Sequence, residues 1–449
     1  MEGGPMKFSI FFCCLVFLAS PGRLLAQHEV SVKENASDSL REEIHQLHVQ
    51  LDSLKALRDN DLTEREDQLD HLEDLLEKRI ESLENKVDAI SRASAPIVLN
   101  PKMTAFINFA ARADSKSVLD ASGESEISDR PFLRTVEMEL LNAVDPYAEA
   151  RAIISLENQA GGEFSVDAEE AYGLIKRLPI LEDAPLGLKL KIGKFRAPFG
   201  VNNKIHMHDL PWTTRPLAVA KYLGTEHGEF FESGYNPTGI DLDFFLPNPI
   251  PQSTLEMNAD VVRSGEVGLS LGQSGTQPAY IGHLTWSEDW SNEHLLLLGV
   301  SAYDENGMNQ TRLFGADLTY KWAPSENRES HSFVAGGEFY TGKHSTIDTT
   351  SKEISQSPYG WYTYLQYQTS YWIYLGVRYD WVKEPANDQL VTRAVAGYLS
   401  YYTTEFLRFR LGIEHRMSDI PAEDNLTTGL FEVNFVFGSH PTEPYWVNR

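Results

Sequence analysis

Three groups of residues in this sequence have side chains suited to chemistry. The first is a cluster, Lys204, His206, His208 and Asp209, followed by Arg215 and Lys221, with His227 between Glu226 and Glu229. Imidazole and carboxylate are ligands for a divalent cation, zinc above all, which makes His206, His208 and Asp209 the candidate metal ligands. Two histidines two apart in a loop fall short of the four ligands of a structural zinc site. The expectation is therefore a loop held by hydrogen bonds, with no metal or other cofactor. The second group is Arg378, Arg408 and Arg410. Arg408 and Arg410 share one face of an extended chain, where they attract anions or pair with Glu414 or Glu432. The third is a mixed set, Lys189, Lys191, Asp241, Asp243, Glu256 and Asp260. The sequence contains no Gly-x-Ser-x-Gly, His-Glu-x-x-His or phosphate-binding loop, so an enzyme is not expected.

What positions these residues is a two-residue rhythm that runs from about Pro101 to the end. Met103, Ala105, Ile107, Phe109 and Ala111 alternate with Thr104, Asn108 and Arg112. Phe314, Ala316, Leu318, Tyr320 and Trp322 oppose Asp317, Thr319 and Lys321, and Leu407, Phe409, Leu411 and Ile413 oppose Arg408, Arg410 and Glu414. Such alternation fits a soluble sandwich or a membrane barrel. Runs of roughly 9–12 residues match a tilted membrane crossing, whereas soluble strands average about five or six. Full charges on the polar face suit a wet interior. Aromatics near strand ends (Trp286, Tyr303, Trp322, Tyr340, Tyr371, Trp372, Trp381, Tyr401 and Tyr402) suit the water–lipid boundary. The fold class expected is an all-β transmembrane barrel of about sixteen antiparallel strands over residues 97–449. Strands are expected to begin near residues 103, 132, 147, 165, 187, 238, 254, 279, 294, 311, 331, 359, 371, 391, 405 and 426. Short and long connections alternate, and an even count puts both chain ends on the periplasmic side.

The N-terminus has a different character. Lys7, the apolar run Phe8–Ala19 and the Ser20-Pro21-Gly22 break read as a secretory signal over residues 1–26. Both cysteines, Cys13 and Cys14, fall inside it, which leaves the exported chain without disulfides or thiolate sites. Residues 27–96 carry a helical stripe, Leu40, Ile44, Leu47, Leu51 and Leu54, resuming at Leu69, Leu72 and Leu76, amid dense charge. A helix this polar needs partner helices, so a periplasmic coiled coil is expected. The chain of 449 residues has 39 Lys+Arg against 65 Asp+Glu, a net charge of −26, which argues against a nucleic-acid partner. Beyond the signal no apolar run approaches the roughly 18–20 residues of a membrane-spanning helix.

The longest connection, residues 197–237, is rich in Trp, Leu and Tyr and is expected to fold into the lumen as a constriction. Gly193-Lys194-Phe195-Arg196-Ala197-Pro198-Phe199-Gly200, with Asn203, His206, His208, Leu210-Pro211, Arg215-Pro216 and Gly224, resembles the phosphate-selective porin O/P group of barrels. The closing strand Phe431–Pro441 does too. The resemblance implies a homotrimeric outer-membrane channel, set among outer-membrane lipid, for small hydrophilic solutes. Phosphate-selective members line the pore with Lys and Arg; here carboxylates stand on the adjacent strands. Passive diffusion is the leading expectation. The alternative is a closed barrel anchoring a coiled coil that holds a periplasmic partner.

Overall fold

The computed structural model describes residues 46–50 and 52, and then 101–438 apart from 120–125, 128–129, 159–163, 178–183, 225–233, 272–276, 292, 307–309 and 348–352. The signal segment, nearly all of the heptad region, His227 and its flanking glutamates, and the tail after Gly438 lie outside the described residues. Gln46–Gln50 is helical. The barrel unit begins at Pro101.

Sixteen strands form one closed antiparallel sheet. They are β1 (Lys102–Asp114), β2 (Arg130–Ala143), β3 (Ala148–Asn158), β4 (Phe164–Ile175), β5 (Lys189–Lys194), β6 (Thr238–Phe245), β7 (Ser253–Val262) and β8 (Ala279–Trp290). Then follow β9 (His294–Glu305), β10 (Gln310–Trp322), β11 (Ser332–Ile347), β12 (Tyr359–Gln368), β13 (Ile373–Glu384), β14 (Asn387–Thr404), β15 (Leu407–Ser418) and β16 (Leu426–Gly438). Short two-stranded pairings extend the connections at Val118–Leu119 with Glu126–Ile127, and at Glu353–Gln356 beside β11. Each strand pairs with its sequence neighbour, and β1 pairs with both β2 and β16, with Ile107 opposite Phe435. Closure removes the edge whose unpaired backbone groups lipid could not satisfy.

The expected strand starts are met closely. The largest difference is β14, which begins at Asn387 and not near 391. Asn387-Asp388-Gln389 has no apolar rhythm, but a tight turn after Glu384 carries the pairing straight on. On β10, Phe314 and Leu318 are exposed outward while Asp317, Thr319 and Lys321 are buried inward. On β15, Leu411 and Ile413 face outward against Arg408, Arg410 and Glu414. A closed barrel with an apolar exterior turns that face to lipid. The aromatic boundary reading needs one correction. Tyr371, Trp372 and Tyr401 are exposed outside, but Tyr303, Tyr340 and Tyr402 are buried inside. Height along a strand does not decide the face: Tyr303 and Tyr402 share parity with the inward Ser301 and Ser400.

The hydrophobic core lies inside the barrel. It is built mainly from the connection between β5 and β6, packed against inward tyrosines of β9, β11, β12, β13 and β14.

Candidate functional site

The β5–β6 connection enters as Phe195-Arg196-Ala197 and leaves through Tyr235. Asn203 closes its neck: its amide donates to the carbonyls of Ala197 (2.9 Å) and Tyr235 (3.0 Å), and its oxygen accepts from Tyr235 N–H (2.8 Å). Two 3₁₀ turns, Asn202–Lys204 and Met207–Asp209, precede a short helix, α1 (Leu217–Tyr222). Phe195, Phe199, Leu210, Leu217 and Tyr222 are fully buried, which explains a loop composition too apolar for solvent. Gly200 has φ +65°, and a Cβ there would lie 2.3 Å from the Glu338 carboxylate. That carboxylate accepts the N–H groups of Val201 (3.0 Å) and Asn202 (2.6 Å).

A row of arginines fixes the segment to the wall. Arg410 donates to the Trp212 carbonyl (2.8 Å), Arg134 to Thr213 (2.9 Å) and Arg378 to Thr214 (2.6 Å). Three guanidiniums from three strands thus satisfy three successive backbone acceptors. Arg378 also donates to Asp380 (2.7 Å) and Glu414 (3.1 Å), Arg134 to Glu432 (3.3 Å) and Arg410 to the Ser400 hydroxyl (2.8 Å). Arg408 reaches Glu432 (2.6 Å), one of the two partners expected for it, whereas Glu414 goes to Arg378 and Arg416. Trp212 sits edge-on to Tyr364 (4.8 Å), with the Arg378 guanidinium 5.2 Å from its ring. Arg215 works within the segment, donating to the Asn202 and Ile205 carbonyls, each at 3.0 Å. Asp380 accepts the first helical N–H, from Leu217 (2.9 Å), and Lys221 pairs with Glu384 (2.8 Å). Arg215, Arg378, Arg408 and Arg410 are at most 1% exposed, so these cations meet protein and not solvent.

A second contact joins the segment to β1, β2 and β4. His208 stacks on Phe106 (ring centroids 3.8 Å apart) and lies nearly parallel to His206 (5.5 Å). His206 Nδ1 is 3.0 Å from Glu169 and His208 Nδ1 is 2.9 Å from Glu137. Glu169 and Glu170 are both buried because a register shift on β3–β4 skips Glu169, turning successive carboxylates inward. Arg196 pairs with Glu169 (3.0 Å). Burial and the Arg196 charge oppose protonation of His206, yet the Glu169 and Glu170 carboxylates carry it up to about 9. Burial likewise opposes charge on His208, but Glu137 and Asp209 push it well above the usual imidazole range.

The mixed set occupies another wall. Lys189 pairs with Asp243 (3.2 Å) and Lys191 with Asp241 (3.4 Å) on β5–β6. Register places Asp241 opposite Asp260 on β7. Lys204 is exposed on the rim of the inserted segment, and its charge bears on Glu256, Asp260, His283 and Asp317. The fifteen residues singled out from the sequence therefore divide by place. Lys189, Lys191, Lys204, Asp241, Asp243, Glu256 and Asp260 are grouped around the Lys204 rim. Arg378, Arg410, Arg215 and Lys221 hold the segment, Arg408 braces Glu432 on the wall, and His206, His208 and Asp209 form the segment's contact with β2 and β4. Arg134, Glu137, Glu169 and Glu338 were missed. The available signal was their inward parity, which for Glu169 the bulge hides.

A closed sixteen-strand barrel with a lipid-facing exterior, a charged interior and its β5–β6 connection folded inside has the architecture of a porin-like outer-membrane barrel. Residues 256–406 match the family model described as putative beta-barrel porin-2, OmpL-like. An uncharacterized protein of Aquifex aeolicus is 26% identical over 357 residues, 70% of each chain. Among solved structures, the anion-selective porin from Comamonas acidovorans superposes with TM-score 0.48 at 8% identity, covering 75% of this chain and 99% of that one. The outer membrane channel DcaP of Acinetobacter baumannii gives 0.48 at 9% identity, covering 75% and 97%.

Proposed function

We propose that this protein is a porin whose solute path runs between the Lys204 rim and the wall formed by β5 to β10. The observation that carries this reading is the contrast within one segment. Its arginine and histidine sides are buried, while Lys204 is exposed toward half-exposed Asp243 and Glu256. Three lysines, Lys189, Lys191 and Lys204, face the five carboxylates of Asp241, Asp243, Glu256, Asp260 and Asp317. Fixed lumen charge of one sign concentrates ions of the other, so small hydrophilic solutes pass with a preference for cations over anions. A narrow path fits passive diffusion of small molecules, and the phosphate preference implied by the sequence resemblance is not part of this reading. A homotrimer, with residues 27–96 as a periplasmic coiled coil, completes the proposal. The tests are single-channel conductance of the purified protein in planar bilayers and reversal potentials in a salt gradient. Stepwise ohmic conductance with cation-favouring reversal supports the reading. A silent bilayer rejects diffusion, and an anion-favouring potential rejects the assigned path.

A further inference from the structure

We propose that Glu137, His206 and His208 form a binding site for one divalent transition-metal ion of the zinc class, clamping the inserted segment to β2. Each of the three residues offers one ligand atom, and these atoms all lie within 4.8 Å of one another. His208 Nδ1 and Glu137 Oε2 are 2.9 Å apart, and His206 Nδ1 and Glu137 Oε2 are 3.7 Å apart. Ligands about 2.0–2.2 Å from a tetrahedral ion stand roughly 3.3–3.6 Å from each other, between these two values. Glu169, 3.0 Å from His206 Nδ1, or a water would make the fourth ligand.

Two further observations point to a cation. Glu137 is wholly buried, and the 2.9 Å approach of His208 Nδ1 to its Oε2 is poorly aligned for a hydrogen bond. A buried carboxylate with poorly aligned hydrogen bonds is costly unless a cation, imidazolium or metal ion, lies against it. The far ring nitrogens also face carboxylates: His206 Nε2 is 3.3 Å from Glu170 and His208 Nε2 is 3.4 Å from Asp209. That carboxylate–imidazole–metal order is the outer shell that fixes a ligating histidine's tautomer. Asp209 therefore belongs behind the ligands and Glu137 among them. Arg196 Nη2, 3.4 Å from His206 Nδ1 and 3.0 Å from Glu169, is the competing cation. Two imidazoliums carry the same charge as one divalent ion with two neutral imidazoles, so the alternative occupant is a pair of protons.

The experiment uses the full exported chain, purified in detergent and stripped with EDTA, titrated with Zn²⁺ by calorimetry and with Co²⁺ by absorption. The expected result is one ion per chain and tetrahedral Co²⁺ bands. Glu137→Gln and His208→Gln abolish that uptake, and Glu170→Gln weakens it about 10–100-fold. Retained heat-modifiable migration on gels shows that each variant barrel is folded. If a variant does not fold, the wild-type Co²⁺ spectrum decides. Absence of uptake by the wild type, octahedral Co²⁺ bands, or uptake unchanged in folded Glu137→Gln and His208→Gln variants would overturn the site.

Discussion

Arg378 on β13 donates its guanidinium to the carbonyl of Thr214 at 2.6 Å, joining residues 164 apart in sequence. The same side chain is braced by Asp380 and Glu414, so one cation links the barrel wall, two buried carboxylates and the inserted backbone.

Arg378→Met leaves Asp380 buried without its cation, Glu414 with Arg416 alone, and the Thr214 carbonyl without its donor. Breaking such a buried pair costs about 3–5 kcal/mol. The expected outcome is a lower unfolding temperature in the heat-modifiability assay and larger, noisier conductance steps. Unchanged values for both would remove Arg378 from the role of anchor.

Lys204→Glu changes the charge at the rim without touching the buried side of the segment. Reversal potentials measured in a salt gradient should move further toward the cation limit, with the unfolding temperature nearly unaltered. If permeability ratios stay where they were, the passage runs elsewhere.

Gly200→Ala tests the turn that delivers the segment into the lumen. Its φ of +65° disfavours a side chain by about 1–2 kcal/mol, and the added Cβ meets the Glu338 carboxylate. Faster cleavage of the segment by trypsin, with the strand signal intact by circular dichroism, is expected.

Ile413→Arg places a charge on the outer face near the middle of β15. Lipid makes this cost about 2–4 kcal/mol at the bilayer midplane. Urea titration in lipid vesicles should show that loss, whereas a wild-type midpoint would contradict a lipid-facing exterior.

By itself the sequence determined the wall. The rhythm Phe314, Ala316, Leu318 against Asp317, Thr319, Lys321 has only one closed solution that gives lipid its apolar side and keeps charge inside. The turn signals set the strand count, and the length and apolar composition of residues 197–237 marked the segment that turns inward. Tertiary structure decided what each charge does there. Parity puts Arg408 and Arg410 inside the barrel, but only the path of Trp212–Thr214 turns inward guanidiniums into carbonyl anchors instead of solvent-facing charges. The bulge that skips Glu169 breaks the two-residue period, so local pattern could not assign its face. Glu137, His206 and His208 meet across about seventy residues of chain, a closeness created by closure of the barrel and not encoded in any spacing along it.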